Sequence, residues 1–180
     1  MYLPMLDLLM TELPRDCHID ELSVGQEGIV VSFARKSKEG EIARFFHSDC
    51  PSAQKLFAMN KEGIKCCDFL FLYMKKENVL CESEVLCFLE LKKGRKIEHA
   101  SKQIKDTYKH VYRFSRSHLS QKQLSNTITS AAIYIHGSAP SDVSKKVQKE
   151  LLEIFGSNRV EVKHSSREFS QFIRKIYNSE

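Results

Sequence analysis

The run Val85-Leu86-Cys87-Phe88-Leu89-Glu90-Leu91-Lys92 decides how this chain is read. As a strand it alternates with period two, so Leu86, Phe88, Glu90 and Lys92 share one face and Cys87, Leu89 and Leu91 the other. Apolar residues on both faces mark a buried central strand. An acid and a lysine two apart inside such a strand are costly unless they pair or bind something. About twenty residues upstream, Cys66-Cys67-Asp68-Phe69-Leu70-Phe71-Leu72-Tyr73 forms a second apolar run with one acid near its start. Downstream, Lys93-Gly94 makes a turn. A helical pattern follows, in which Ile97, Ala100, Ile104, Val111 and Phe114 recur with Tyr108 at their flank. Gln103 borders that stripe.

Outward from this centre the chain alternates strand and helix. Residues 1–13 predict a short amphipathic helix stopped by Pro14, and Arg15 to Gln26 is polar and unassigned. Residues 28–34 and 41–46 read as two strands of a hairpin turned through the basic, Gly-containing stretch 35–40. Pro51–Met59 predicts a helix with proline in its first turn. Residues 115–127, rich in Ser, Gln and Lys, read as a loop or frayed helix end. Then come a strand over 129–135, a helix over 142–155 closed by Gly156, and a short strand over 159–163. A last helix is opened by a capping box, Ser165 with Glu168. This order predicts one α/β domain of 180 residues, a mixed central sheet flanked by helices. Residues 1–50 would be an N-terminal elaboration carrying the hairpin, and 51–180 the core.

Composition narrows the class. No apolar run approaches the roughly 18–20 residues that span a bilayer. The apolar start Met1–Met10 holds Pro4 and Asp7 and no basic leader, which argues against a signal peptide. The six cysteines lack zinc-knuckle spacing and read as reduced packing residues of a cytoplasmic protein. The net charge of +5 is unevenly spread. Residues 91–123 hold ten Lys/Arg against two acids, so the basic excess lies just after Glu90-Leu91-Lys92. Such a patch suits a phosphate backbone, or is simply a solvated helix face. No ATPase motif, helix-turn-helix or zinc-finger signature is present.

With Asp68 and Glu90 on neighbouring strands and facing the same side, their carboxylates converge. Two hard oxygen donors plus a backbone carbonyl, that of Leu91, make a partial site for Mg²⁺ or Mn²⁺. Lys92 on the same face could orient or deprotonate a water and stabilise charge on phosphorus. Metal-assisted phosphodiester hydrolysis uses all of these together. Asp68, then Glu90-Leu91-Lys92, then Gln103 resembles the PD-(D/E)xK, or restriction-endonuclease-like, nuclease superfamily. The likeness spans about forty residues directly. The resemblance implies metal ligation by Asp68 and Glu90, a catalytic Lys92, and substrate or site organisation by Gln103. Phe88–Gly94 with His99-Ala100 and Gln103-Ile104 is also similar to small nuclease subunits of bacterial defence systems. That likeness implies an anti-phage complex with a regulatory partner or ATPase subunit, and a homodimer would bring two sites to one duplex. Lys93, Arg95, Lys96 and Lys102 are the expected nucleic-acid contacts.

Two departures from the pattern stand out. Cys67 precedes Asp68 where the family has proline. The acid often found on a helix before the first strand is not placed: Glu62 is the nearest candidate, with Glu12, Glu21 and Glu27 as others. Read alone, Glu-x-Lys on a strand is an ordinary ion pair. Two alternatives to a DNA nuclease therefore stand, a non-catalytic scaffold subunit of the same fold and an RNA-directed nuclease.

Overall fold

A computed structural model describes residues 4–36, 40–60, 64–75 and 83–179. Helix α1 (Pro4–Glu12) leads into a 3₁₀ turn (Arg15–Cys17) and strands β1 (His18–Ile19), β2 (Ser23–Gln26), β3 (Ile29–Ser32) and β4 (Glu41–His47). Then follow α2 (Pro51–Leu56), β5 (Phe69–Lys75), β6 (Glu84–Lys93), a 3₁₀ stretch (Gly94–His99) and α3 (Ala100–His118). The chain closes with α4 (Gln121–Ser125), β7 (Thr127–His136), α5 (Ser141–Phe155), β8 (Val160–Lys163) and α6 (Phe169–Tyr177). Six strands make one mixed sheet in the order β1-β4-β5-β6-β7-β8. β1, β4, β5 and β6 pair antiparallel, while β6, β7 and β8 pair parallel through helical crossovers. Among the described residues no helix is long and apolar enough to cross a membrane.

The alternation read from sequence sorts the core. Leu70, Leu72, Leu86 and Phe88 pack with α1, α2, α3 and α5 on one face. Phe69, Phe71, Cys87, Leu89 and Leu91 pack with Phe169, Ile173 and Ile176 of α6, and with Val24 and Val31, on the other. Both faces of β5 and β6 are thereby dry, which is why these strands lack polar alternation.

The expected hairpin is differently built. β3 pairs with β2 through the two-residue turn Glu27-Gly28, whereas β4 pairs with β1 and β5 inside the main sheet. Glu27 (φ 53°) and Gly28 (φ 83°) both adopt left-handed backbone, the requirement of a type I′ turn, whose twist matches that of the strands it joins. Residues 37–39 of the expected turn lie outside the described residues. Two further corrections concern helix ends. α3 runs to His118, and a capping box of Ser120 with Gln123 opens α4 where a loop or frayed helix end is expected. The Ser165–Glu168 box is not formed: α6 begins at Phe169 with Glu168 at its N-cap, and Glu168 pairs with Lys163.

Glu84, at the start of β6, is buried and accepts the Met5 and Leu6 N–H groups at 2.7 and 3.2 Å. Two of the orphan donors at the head of α1 are thus satisfied by a residue far along the chain. Glu84→Ala is expected to cost about 1–3 kcal/mol. Limited proteolysis should show α1 releasing before the sheet; simultaneous cleavage across the chain would contradict this.

Candidate active site

The β5–β6 register pairs Phe69 with Leu89 and Leu70 with Phe88, so Asp68, one residue before β5, falls opposite Glu90. Two bonds close that pair. The Asp68 N–H donates to Glu90 Oε2 at 2.9 Å, and the Leu91 N–H donates to Asp68 Oδ2 at 2.7 Å. Lys92, on the same face as Glu90, forms an ion pair with Glu90 Oε1. All three residues are buried: Glu90 is 0%, Asp68 3% and Lys92 9% exposed. Glu90 Oε1 is buried and has the Lys92 ammonium as its partner.

Helix α3 holds the strand end in place. Gln103 Nε2 donates to the Cys66 carbonyl at 2.9 Å, and Thr107 accepts the Cys67 N–H at 2.8 Å. The Thr107 hydroxyl donates in turn to the Gln103 carbonyl. Gln103 therefore acts through the backbone two residues before Asp68, a positioning role. Gly94 lets β6 end tightly, since a Cβ there would fall 1.8 Å from the Ser138 carbonyl oxygen. The need at Gly94 is for close approach of another backbone, more than for the turn itself.

Burial dominates the electrostatics. It pushes Asp68 up to about 6 against the Leu91 N–H and Lys92, with the charges of Asp49 and Glu27 adding to the rise. Glu90 is pushed up to about 8, first by burial and then by Asp68, with Lys92 opposing. Burial alone would lower Lys92, but Glu90, Asp68 and Glu27 overcome it and hold the ammonium protonated. Two like charges across one register step, sharing one lysine, therefore titrate as a unit.

Among the candidates for a further acid, Glu27 is the one the structure brings to the rim. At the hairpin tip it accepts the Lys93 N–H at 2.7 Å and lies 3.6 Å from Lys96 Nζ. Burial works to raise its pKa, yet Lys93 N–H, Lys96 and Lys92 lower it overall. Glu12 ends α1 and Glu21 is exposed between β1 and β2, and neither enters the hydrogen bonds around Asp68 and Glu90. Glu62 and the Arg95 side chain lie outside the described residues. Asp49, absent from the sequence reading, lies within electrostatic reach of Asp68 and Lys92. β4 delivers it: Ser48 N–H donates to the Asp68 carbonyl, so the next residue flanks the site. Its signal would have been the pairing of residues 41–47 with β5. Lys93, Lys96 and Lys102 are exposed around this rim.

The donor chemistry fits a small hard cation. Mg²⁺ commonly takes one or two carboxylates and fills the rest of its octahedron with water and substrate oxygens. Asp68 and Glu90 supply two, on adjacent strands, with the Lys92 ammonium against Glu90 Oε1. Among the described residues the one set of three His, Cys, Asp or Glu donors within 4.8 Å of one another lies elsewhere, at Asp16, Cys17 and Cys50. There the Cys17 and Cys50 sulfurs are 2.6 Å apart. Burial, with Cys50 adding, drives the Cys17 thiol far above its ordinary pKa.

No family model, curated protein or solved structure matches this chain.

Proposed function

We propose that the chain is a metal-dependent nuclease of the restriction-endonuclease-like, PD-(D/E)xK type, hydrolysing phosphodiester bonds of DNA. One observation carries the reading: Asp68 and Glu90 oppose each other across adjacent strands, with Lys92 on the same buried face. The group lies at the carboxyl ends of β6 and β7, where α/β sheets commonly bind ligands. Asp68 and Glu90, with the Leu91 carbonyl, would hold Mg²⁺ or Mn²⁺, which when bound polarises a phosphodiester and lowers the pKa of water. Lys92 enters as a cation and stabilises negative charge gathering on the phosphoryl oxygens. Gln103 keeps the Cys66–Asp68 backbone in register with Glu90. A cytoplasmic, prokaryotic anti-phage complex with a regulatory or ATPase partner, and a homodimer on duplex DNA, extend the same proposal by sequence resemblance.

A second reading draws on a specific observation. The Lys92 ammonium is closed upon Glu90, and no third side-chain donor joins the two carboxylates among the described residues. That arrangement also suits a scaffold subunit whose ion pair is structural.

Cleavage of supercoiled plasmid, linear duplex, single-stranded DNA and RNA with Mg²⁺, Mn²⁺ or EDTA decides between them. Expected is metal-dependent cutting of DNA that falls at least about 10²-fold in folded Asp68→Asn. Cutting confined to RNA would reassign the substrate. Wild type matching Asp68→Asn on every substrate, with no metal uptake by calorimetry, would overturn the enzyme reading.

A further inference from the structure

We infer that α3 carries a docking track for the backbone of duplex DNA, leading away from the candidate active site; the inference rests on the nuclease reading and names its substrate form. Helix α3 contains five Lys/Arg, namely Lys102, Lys105, Lys109, Arg113 and Arg116, and one acid, Asp106. The basic residues are spaced three, four, four and three apart. At about 100° per residue they occupy roughly 80° of arc, a single narrow stripe. The apolar residues Ala100, Ile104 and Val111 fill the opposite side and are buried against the sheet. Lys102, Lys109, Arg113 and Arg116 are exposed, and Lys105 is half-buried.

From Lys102 to Arg116 the stripe rises about 21 Å at ~1.5 Å per residue. That matches about six base-pair steps of ~3.4 Å, each with a charge on both strands. Lys102 adjoins Gln103, which is bonded to the Cys66 carbonyl, so the track begins at the lip of the site. Its inner edge is fixed by a second helix. Glu150 of α5 accepts from Ser101 at 2.6 Å and from Lys105 at 3.4 Å. The Ser101 bond first, then the charges of Lys105 and Lys146, hold its carboxylate below the usual range. The outer residues Lys109, Arg113 and Arg116 are thereby presented on a braced helix.

Duplex is favoured over single strand by what the surface lacks. Single-strand binders offer exposed aromatic platforms on which bases stack. Among the described residues the exposed large apolar side chains are Met10, Val30 and Tyr112, and Tyr112 packs on Tyr108 with the Arg116 guanidinium 6.0 Å over its ring. A straight row of cations with one occupied ring reads phosphate spacing and not bases.

The test uses the full chain carrying Asp68→Asn, in EDTA, with a fluorescent 20-base-pair duplex titrated across a salt series. Lys109→Glu/Arg113→Glu is compared with Arg167→Glu/Lys175→Glu, an equal charge reversal on exposed residues at α6. Expected is at least a tenfold weaker duplex affinity for the α3 pair, a salt slope lower by about two, and less than threefold change for the α6 pair. A single strand of the same length should compete poorly. Equal losses in both pairs, or a single strand competing as well as duplex, would overturn the track. Plasmid cleavage by the chain without Asp68→Asn is read separately. Cutting that persists while duplex affinity ignores the α3 reversal removes the track and keeps the nuclease. Stripe-dependent binding without any cutting removes the nuclease and keeps the track.

Discussion

Lys92→Met is expected to lose metal-dependent cleavage and about 3–5 kcal/mol of stability at pH 9.5, while Glu90→Gln/Lys92→Met regains most of the stability and none of the cleavage. Glu90 is fully buried, and its Oε1 has the Lys92 ammonium as counter-charge. Methionine fills the lysine's volume but leaves an uncompensated carboxylate, and removing one partner of a buried pair costs far more than replacing both. The pH dependence has a definite sign. Burial raises the folded pKa of Glu90 above the ordinary carboxylate value, to about 8 with Lys92 present. A group so raised favours the folded state below its unfolded pKa and loses that advantage as pH rises through the folded one. The part of the Lys92→Met deficit that comes from this carboxylate should therefore be level from pH 5 to about 8, where Glu90 is protonated in both folded proteins, and grow above 8, where only the wild type ionises. Urea unfolding of wild type, single and double variants at pH 7 and 9.5 reads it directly. A deficit that is equal at both pH values would mean that the unpaired carboxylate is not its source.

How much of this was legible in the residues follows from how local each signal is. Parity alone placed Glu90 and Lys92 with Leu86 and Phe88, and the packed faces agree. The opposition of Asp68 and Glu90 was an assumption of register, which the Phe69–Leu89 pairing supplies. The hairpin was misassigned because Arg35–Gly40 carries the stronger turn composition, while the true turn is an unremarkable Glu27-Gly28. That error hid Asp49 and the rim position of Glu27, since both depend on which strand β4 and β3 join. Helix α3 outran its apolar stripe: its last turn keeps one buried residue, Ser115, whose hydroxyl donates back to the Val111 carbonyl. At Ser165 the local motif is correct in spelling, but α6 starts at Phe169, so Ser165 is not its cap, and Glu168 pairs with Lys163. Long-range strand pairing, which no window of sequence contains, decided the hairpin, Asp49 and Glu27, whereas the two helix ends involve neighbours four and five residues away.

Arg174→Ala is expected to destabilise the protein by about 3–5 kcal/mol, lowering the melting temperature by roughly 10 °C for a chain of this size. Arg174 reaches from α6 across the sheet to Glu41 on β4, Nε to Oε1 at 2.6 Å and Nη2 to Oε2 at 2.9 Å. The same carboxylate accepts Tyr73 OH at 2.9 Å and the Lys36 N–H at 2.6 Å. The guanidinium lies 4.9 Å over the Phe33 ring and also donates to the Ala34 carbonyl. One fork thus ties α6, β4, β5 and the segment after β3 over the face opposite the candidate site. Arg174→Lys should recover only part of the loss, because an ammonium cannot make the paired contacts. Burial works to raise the pKa of Glu41, but Arg174 first, then Lys36 N–H and Tyr73, hold it down at about 2. A depressed carboxylate contributes stability that is whole above its ordinary value of 4.5 and is lost as pH falls through 2, at most about 3 kcal/mol. Acid unfolding of Arg174→Ala should flatten below pH 4.5, because the folded pKa of Glu41 moves back toward its unfolded value. An unchanged acid limb in that variant would show that the fork does not set it. The Arg174→Ala deficit should grow between pH 2 and 4.5 and the Lys92→Met deficit above about 8, so one pH series on the two variants separates the two carboxylates.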